Sequence, residues 1–212
     1  MQDTRILPAG RTGRTEGGIP AKRARMAREI IETVVLTLLI FFAVHFSVQP
    51  FDVEGPSMQP GLHTGEKVVV NLLAYDFGSP HRGDVIVFHP PTSSDPNLYY
   101  VKRVIAVPGD TINVTPDGVY VNGDRLTEPY ISQTNAFGPV AEGTPVVVPP
   151  QKLGPNEYWV MGDNRDNSVD SRYFGPISRR SIIGKAEAVI WPVNTIEWLH
   201  DYSAVFAGIG KP

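Results

Sequence analysis

The chain has 212 residues, 42% hydrophobic and 19% charged, a balance that suits a folded domain with room for a tail or anchor and excludes a disordered chain. A net charge of -3 offers no basic field for nucleic acid, and the lack of cysteine rules out disulfides, thiolate zinc sites and cysteine nucleophiles. Twenty glycines and twenty prolines imply many turns, as in a β-rich body.

Residues 1–20 are rich in Arg, Thr and Gly without apolar periodicity and read as disordered. A basic cluster of Lys22, Arg23, Arg25 and Arg28 follows, so residues 1–29 are expected to form a cytoplasmic tail. The apolar run at residues 30–48 spans about 28 Å as a helix, close to the ~30 Å hydrocarbon thickness. A cleaved signal peptide would have a shorter apolar core and a small-residue cut site, and a buried soluble helix would lack the basic flank. The run is therefore expected to be a retained single-pass anchor, N-terminus in the cytoplasm and the remainder outside.

From Phe51 the texture becomes short apolar runs separated by Gly, Pro, Asn and Asp. Strands are expected at residues 67–72, 84–89, 100–107, 111–114, 119–121, 146–148, 158–161 and 182–190. Asn122-Gly123 marks a tight hairpin between 119–121 and 125–126. With no long helical pattern among them, the expected fold is mostly β: a coiled antiparallel sheet or barrel-like domain over residues 49–200, preceded by one transmembrane helix. Residues 128–155 read as a loose Pro/Gly-rich excursion, and residues 201–212 as a C-terminal tail that packs on the domain.

Three stretches can carry chemistry. Ser57 is boxed in by Gly55, Pro56 and Pro60 just after the apolar run, where fixed backbone angles would present a nucleophile near a membrane. An ordinary turn serine is the alternative. A serine needs a base. Of the five histidines, His45 lies in the apolar run, His200 in the tail, and His63, His81 and His89 in turns without an orienting carboxylate nearby. Lys102 instead sits in the apolar strand Tyr100-Val101-Lys102-Arg103-Val104-Ile105-Ala106. Burial there would favour its neutral form and make it a general base, whereas an outward face would leave an ammonium in water. Alternation puts Lys102 and Arg103 on opposite faces, so one of the two should point inward. The third stretch runs from Gly162 to Arg172 and is dense in Asp, Asn, Ser and Arg. An EF-hand is excluded by Arg165 at a ligand position, by the missing sixth-position glycine and by the lack of flanking helices. A network of ion pairs that orders a loop is the better reading.

In this order after an anchor, the stretches resemble the bacterial type I signal peptidases. Gly55-Pro56-Ser57-Met58-Gln59-Pro60 looks like the family's nucleophile box, Arg82-Gly83-Asp84-Val85-Ile86-Val87-Phe88 like its core-strand box, and Val101-Lys102-Arg103-Val104-Ile105-Ala106-Val107-Pro108-Gly109-Asp110 like its general-base box. Gly162-Asp163-Asn164-Arg165-Asp166-Asn167-Ser168-Val169-Asp170-Ser171-Arg172 matches the last box almost residue for residue. The resemblance implies a serine–lysine dyad, with Ser57 as nucleophile and Lys102 as base. It further implies Ser168 as the hydroxyl orienting the amine, Asp170 and Arg172 as a supporting ion pair, and the Ser57 backbone N–H as an oxyanion donor. Phe51, Val53, Met58, Leu62, Tyr100 and Val101 match positions lining shallow pockets that accept small residues, chiefly Ala, at the first and third positions before the cut. Gly55 stands where some members carry a second oxyanion hydroxyl, leaving that donor unassigned, and Gly61 where many carry Thr. The substrates implied are signal peptides of exported pre-proteins, met at the lipid bilayer downstream of the protein export channel, with no metal, cofactor or nucleic acid involved. Two other readings compete: a self-cleaving serine–lysine protease, which would carry a DNA-binding head in place of residues 30–48, and a non-catalytic anchored β-domain.

Overall fold

The computed structural model describes residues 21–131 and 146–210, and the chain divides into two units at residues 44 and 45. The readings for residues 1–20 and for the middle of the excursion fall outside the described residues.

Helix α1 covers Ala21–Ser47. It is the one helix among the described residues long and apolar enough to cross a membrane, with a mean hydropathy of 2.2 in its apolar window. It starts at Ala21 rather than at residue 30, so the basic cluster is the first turns of the helix and not tail. Lys and Arg are good helix formers, and Arg28 supports the turn through a 2.6 Å contact with Glu32 one turn on. At the other end Val48 leaves the apolar run and begins a strand.

The second unit is built from two antiparallel sheets. The larger has the order β1-β2-β11-β3-β4-β9-β10, with β12 also on β11, and forms a curled half-barrel. Its strands are β1 (Val48–Asp52), β2 (Lys67–Asn71), β3 (Val85–Phe88), β4 (Tyr100–Ala106), β9 (Glu157–Met161), β10 (Ile177–Ser178), β11 (Ile182–Trp191) and β12 (Glu197–Trp198). The smaller has the order β7-β6-β5-β8, formed by β5 (Thr111–Thr115), β6 (Gly118–Val121), β7 (Asp124–Arg125) and β8 (Val148–Lys152). The hairpin at Asn122-Gly123 joins β6 to β7, both residues at positive φ (55° and 89°) as a two-residue primed turn requires.

Burial explains why the central strands are apolar throughout. On β3, Val85 and Val87 enter one core with Val53, Met58, Leu62 and Val68, while Ile86 and Phe88 enter another with Val104, Tyr158 and Ile177. A third core lies against the smaller sheet, where Ile112, Val114, Val119 and Val121 pack on Trp159 and Phe206. Phe206 lies in the short helix α3 (Ser203–Phe206) and is 5% exposed, so part of the C-terminal tail is core.

The excursion at residues 128–155 is not loose throughout. Val148–Lys152 forms β8 at the edge of the smaller sheet, where Pro149 and Pro150 lie exposed and cost few ladder bonds. Strand β1 likewise escaped the strand pattern because Pro50 interrupts it, and it too is an edge. Two acidic staples hold the body together. Asp84 accepts from Tyr75 Oη (2.9 Å), the His81 N–H and Lys185 Nζ (2.7 Å), and Asp110 from Arg82, the Val107 N–H and Asn122. The Arg82-Gly83-Asp84 and Pro108-Gly109-Asp110 segments are thus structural.

Candidate active site

Strand β4 lies between β3 and β9, in register Ile86↔Lys102 and Val85↔Arg103 with β3. Alternation places Lys102 and Arg103 on opposite faces, yet both are buried, at 4% and 3% exposure. The expectation that one of the two points inward falls short because both faces of this strand are covered. Arg103 is held by a bidentate pair with Asp163 (2.9 and 2.7 Å) and by the Gly83 and His200 carbonyls. Its guanidinium also lies 4.6 and 5.0 Å from the Tyr130 and Tyr202 rings.

Among the described residues, no carboxylate bonds to Lys102. Its Nζ lies 2.7 Å from Ser57 Oγ and 2.9 Å from the Val101 carbonyl oxygen, 5.2 Å from the Tyr100 ring centroid. Burial pushes the amine down from 10.5 to about 8, the more distant Asp170 and Asp163 opposing the shift and Arg172 reinforcing it.

Ser57 stands at the start of a tight turn, with Gln59 N–H donating to the Pro56 carbonyl and Leu62 N–H to the Met58 carbonyl. Gly55 precedes it at φ +84°, a conformation that L side chains rarely adopt. The last box packs against this turn. Asn164 N–H donates to the Ser57 carbonyl at 3.0 Å. A Cβ built on Gly162 would lie 2.4 Å from that same carbonyl oxygen and 2.4 Å from Ser168 Oγ. Only a glycine lets the loop approach Ser57 so closely.

Ser168, Asp170 and Arg172 form one buried knot. Ser168 Oγ donates to Asp170 Oδ2 at 2.7 Å, Gly162 N–H to the same oxygen at 3.0 Å, and Arg172 grips both carboxylate oxygens at 2.8 Å. Asp170 also caps the short helix α2 (Ser171–Phe174) by accepting from Arg172 N–H. Burial alone would raise the Asp170 carboxyl, but the hydrogen bonds and charge of Arg172 hold it below its ordinary value. The Ser168 hydroxyl is spent on Asp170, while the Lys102 amine bonds to Ser57 and Val101. The orienting role implied for Ser168 is therefore not made by a direct bond to the amine here.

A cleft of about 490 Å³ opens over Ser57 and Lys102. Phe51, Val53, Tyr100 and Val101 line it, together with Leu98, Tyr99, Asn167 and Val169, which sequence reasoning did not name. Tyr99 is set as a wall by edge contact with Phe51 (5.2 Å between centroids) and by packing on His89 (4.5 Å). Met58 and Leu62 do not reach this cleft. The turn at residues 56–62 sends both into the core and along a separate hollow of about 270 Å³, beside Arg103, Asp163 and Tyr130.

A hydroxyl within hydrogen-bond reach of a buried amine of lowered pKa has the geometry that a nucleophile and its base need. Among the described residues, no histidine lines the cleft. Comparison with known proteins agrees with a peptidase. The family model described as signal peptidase, peptidase S26 matches residues 26–191. Signal peptidase IB of Staphylococcus aureus (strain Mu50) is 38% identical over 183 residues, spanning 82% of this chain and 93% of that protein. Signal peptidase I T of Bacillus subtilis (strain 168) is 38% identical over 180 residues, 79% of this chain and 84% of that protein. A solved signal peptidase I from Enterococcus faecalis V583 is 31% identical over 50% of this chain and 96% of its own, with a TM-score of 0.37. A family match across most of the β body, and relatives similar over nearly their whole length, make this chain a member of the signal peptidase, peptidase S26 family and a peptide-bond hydrolase.

Proposed function

We propose that the protein is a membrane-anchored endopeptidase that removes N-terminal signal peptides from exported pre-proteins, cutting after Ala-x-Ala with Ser57 as nucleophile and Lys102 as general base. The observation that carries this reading is the 2.7 Å separation of Ser57 Oγ and Lys102 Nζ, with the amine buried and pushed down to about 8. In the neutral form the amine lone pair accepts the Ser57 proton as Oγ attacks the scissile carbonyl. The resulting ammonium then protonates the leaving amine, and a water, deprotonated by the same lysine, hydrolyses the acyl-enzyme. Stabilisation of the tetrahedral oxyanion falls to backbone N–H groups, that of Ser57 first, since Gly55 has no hydroxyl. The Ser168–Asp170–Arg172 knot acts on this pair from beneath, by fixing the Gly162 backbone against Ser57.

Small residues suit the cleft because Phe51, Val53, Tyr100 and Val101 leave a shallow apolar floor, which selects by excluding bulk. The anchor reading rests on the length and hydropathy of α1, and the basic N-terminal flank supports a cytoplasmic N-terminus. Purified protein in detergent micelles, given a pre-protein with an Ala-x-Ala site, should cut once after the second Ala. Ser57→Ala and Lys102→Ala should each abolish the cut, and wild-type cleavage by both variants would refute the dyad. Protease added outside intact cells should degrade residues 49–210 and spare the N-terminus; the opposite pattern would reverse the proposed topology.

A further inference from the structure

Arg165 is fully buried in the last box, its side chain 0% exposed like those of Asp170 and Arg172. Its partner is Glu128, 5% exposed and 37 residues earlier in the chain, at the foot of the excursion. Arg165 Nη1 donates to Glu128 Oε2 at 3.0 Å, and Nη2 donates to Oε1, giving a two-pronged pair. The third donor, Nε, is turned back onto its own loop and reaches the Gly162 carbonyl at 3.0 Å. The Arg165 carbonyl accepts from Arg172 Nη2 at 2.9 Å. One guanidinium therefore joins the glycine beneath the nucleophile to a carboxylate outside the box, and its backbone joins that glycine's loop to the Ser168–Asp170–Arg172 knot.

Glu128 has a second attachment. Tyr130 Oη donates to Glu128 Oε1 at 2.9 Å, and the Tyr130 ring covers the Arg103 guanidinium at 4.6 Å. Arg103 neighbours Lys102 on β4 and pairs with Asp163, which neighbours Gly162. The Glu128 carboxylate thus engages both arginine-centred supports of the loop, Arg165 directly and Arg103 through Tyr130. A bidentate carboxylate–guanidinium pair fixes direction as well as distance, which suits a loop packed so closely on Ser57 that a Cβ on Gly162 would lie 2.4 Å from the Ser57 carbonyl oxygen.

We propose that Glu128 is a positioning residue for the peptidase reaction, acting through Arg165 to hold the Gly162 backbone, and with it Ser57 and Ser168, in reactive register. This inference rests on the Ser57–Lys102 reading. Substrate lies over the cleft, whereas Glu128 lies behind the loop, so its removal should affect turnover rather than binding. A displacement of the reacting atoms by about 1 Å costs on the order of a hundredfold in rate.

The test uses the full chain in detergent and a pre-protein with an Ala-x-Ala site, with kcat and KM measured at a temperature where circular dichroism shows each variant folded. Glu128→Gln, which keeps the shape and loses the charge, should lower kcat by about tenfold or more while KM changes by less than about twofold. Glu128→Asp, which keeps the charge, should retain more of kcat than Glu128→Gln. Because a lone buried Arg165 could unfold the single variant, Glu128→Leu/Arg165→Met removes both charges together. It should fold and still show the kcat loss, since the bond to the Gly162 carbonyl is gone. Wild-type kcat in the folded double variant, or a loss confined to KM, overturns the proposal. Ser57→Ala separates the two readings: if it still cleaves, the dyad fails and this inference with it. If it is dead while folded Glu128 variants turn over as wild type does, only the role of Glu128 fails.

Discussion

Replacing Lys102 with Met should abolish activity and, near neutral pH, make the fold more stable. The amine is pushed from 10.5 down to about 8 by burial. The unfolded chain therefore binds more protons than the native one between those values, and stability rises with pH across that window. At pH 7 both states are protonated, and the native state carries the full cost of a buried ammonium, about 3 kcal/mol for a shift of this size. At pH 10 the same relation leaves a cost of about 1 kcal/mol. Met has a similar volume and carries no such cost, but it loses the bonds to Ser57 Oγ and the Val101 carbonyl, together about 1–2 kcal/mol at any pH. Lys102→Met should thus gain about 1–2 kcal/mol at pH 7, and its advantage should shrink by about 2 kcal/mol by pH 10. Chemical denaturation of both proteins in the same detergent at the two pH values measures this. A stability difference between variant and wild type that is the same at both pH values would refute the burial argument, whatever its sign.

Two further outcomes follow from the geometry. For wild type, kcat/KM should rise about tenfold per pH unit below about 8 and level off above it, as the Lys102 amine loses its proton; a flat profile from pH 6 to 9 would remove Lys102 as the base. Gly162→Ala should fold poorly or lose activity, because its Cβ would meet the Ser57 carbonyl at 2.4 Å. Overpacking of that kind costs about 1–3 kcal/mol, and melting temperature read beside turnover will show it; an active variant with wild-type stability would mean the loop can retreat from Ser57.

The boxes made Ser57, Lys102 and the last loop legible before any coordinates, and alternating or fully apolar runs marked the main strands. What stayed hidden has physical causes. Strands β10 and β12 are two residues long, too short to carry a period. Pro50 and the Pro149-Pro150 pair disguised edge strands, where a missing N–H costs little. Met58 and Leu62 are close to Ser57 in sequence, but the turn that brings Ser57 to the cleft points them to the other side. Alternation leads one to expect only one of Lys102 and Arg103 to point inward, yet Arg103 is buried along with Lys102 because Asp163, Tyr130 and Tyr202, all distant in sequence, close over it. No local signal pairs Glu128 with Arg165.

The buried arginines around Lys102 carry a further consequence. Arg103, Arg165 and Arg172 are matched by Asp163, Glu128 and Asp170. Among the described residues these three cations and three anions cancel, and a proton on the lysine adds a positive charge to them. Each proton that Lys102 accepts makes it a fourth cation without an anion of its own. An ammonium in that position is a stronger acid than one in water, by a factor of about 300 for the shift seen here. The burial that lowers its basicity also makes it release the proton readily, so in the proposed dyad one side chain serves the attack and the departure of the leaving group in turn.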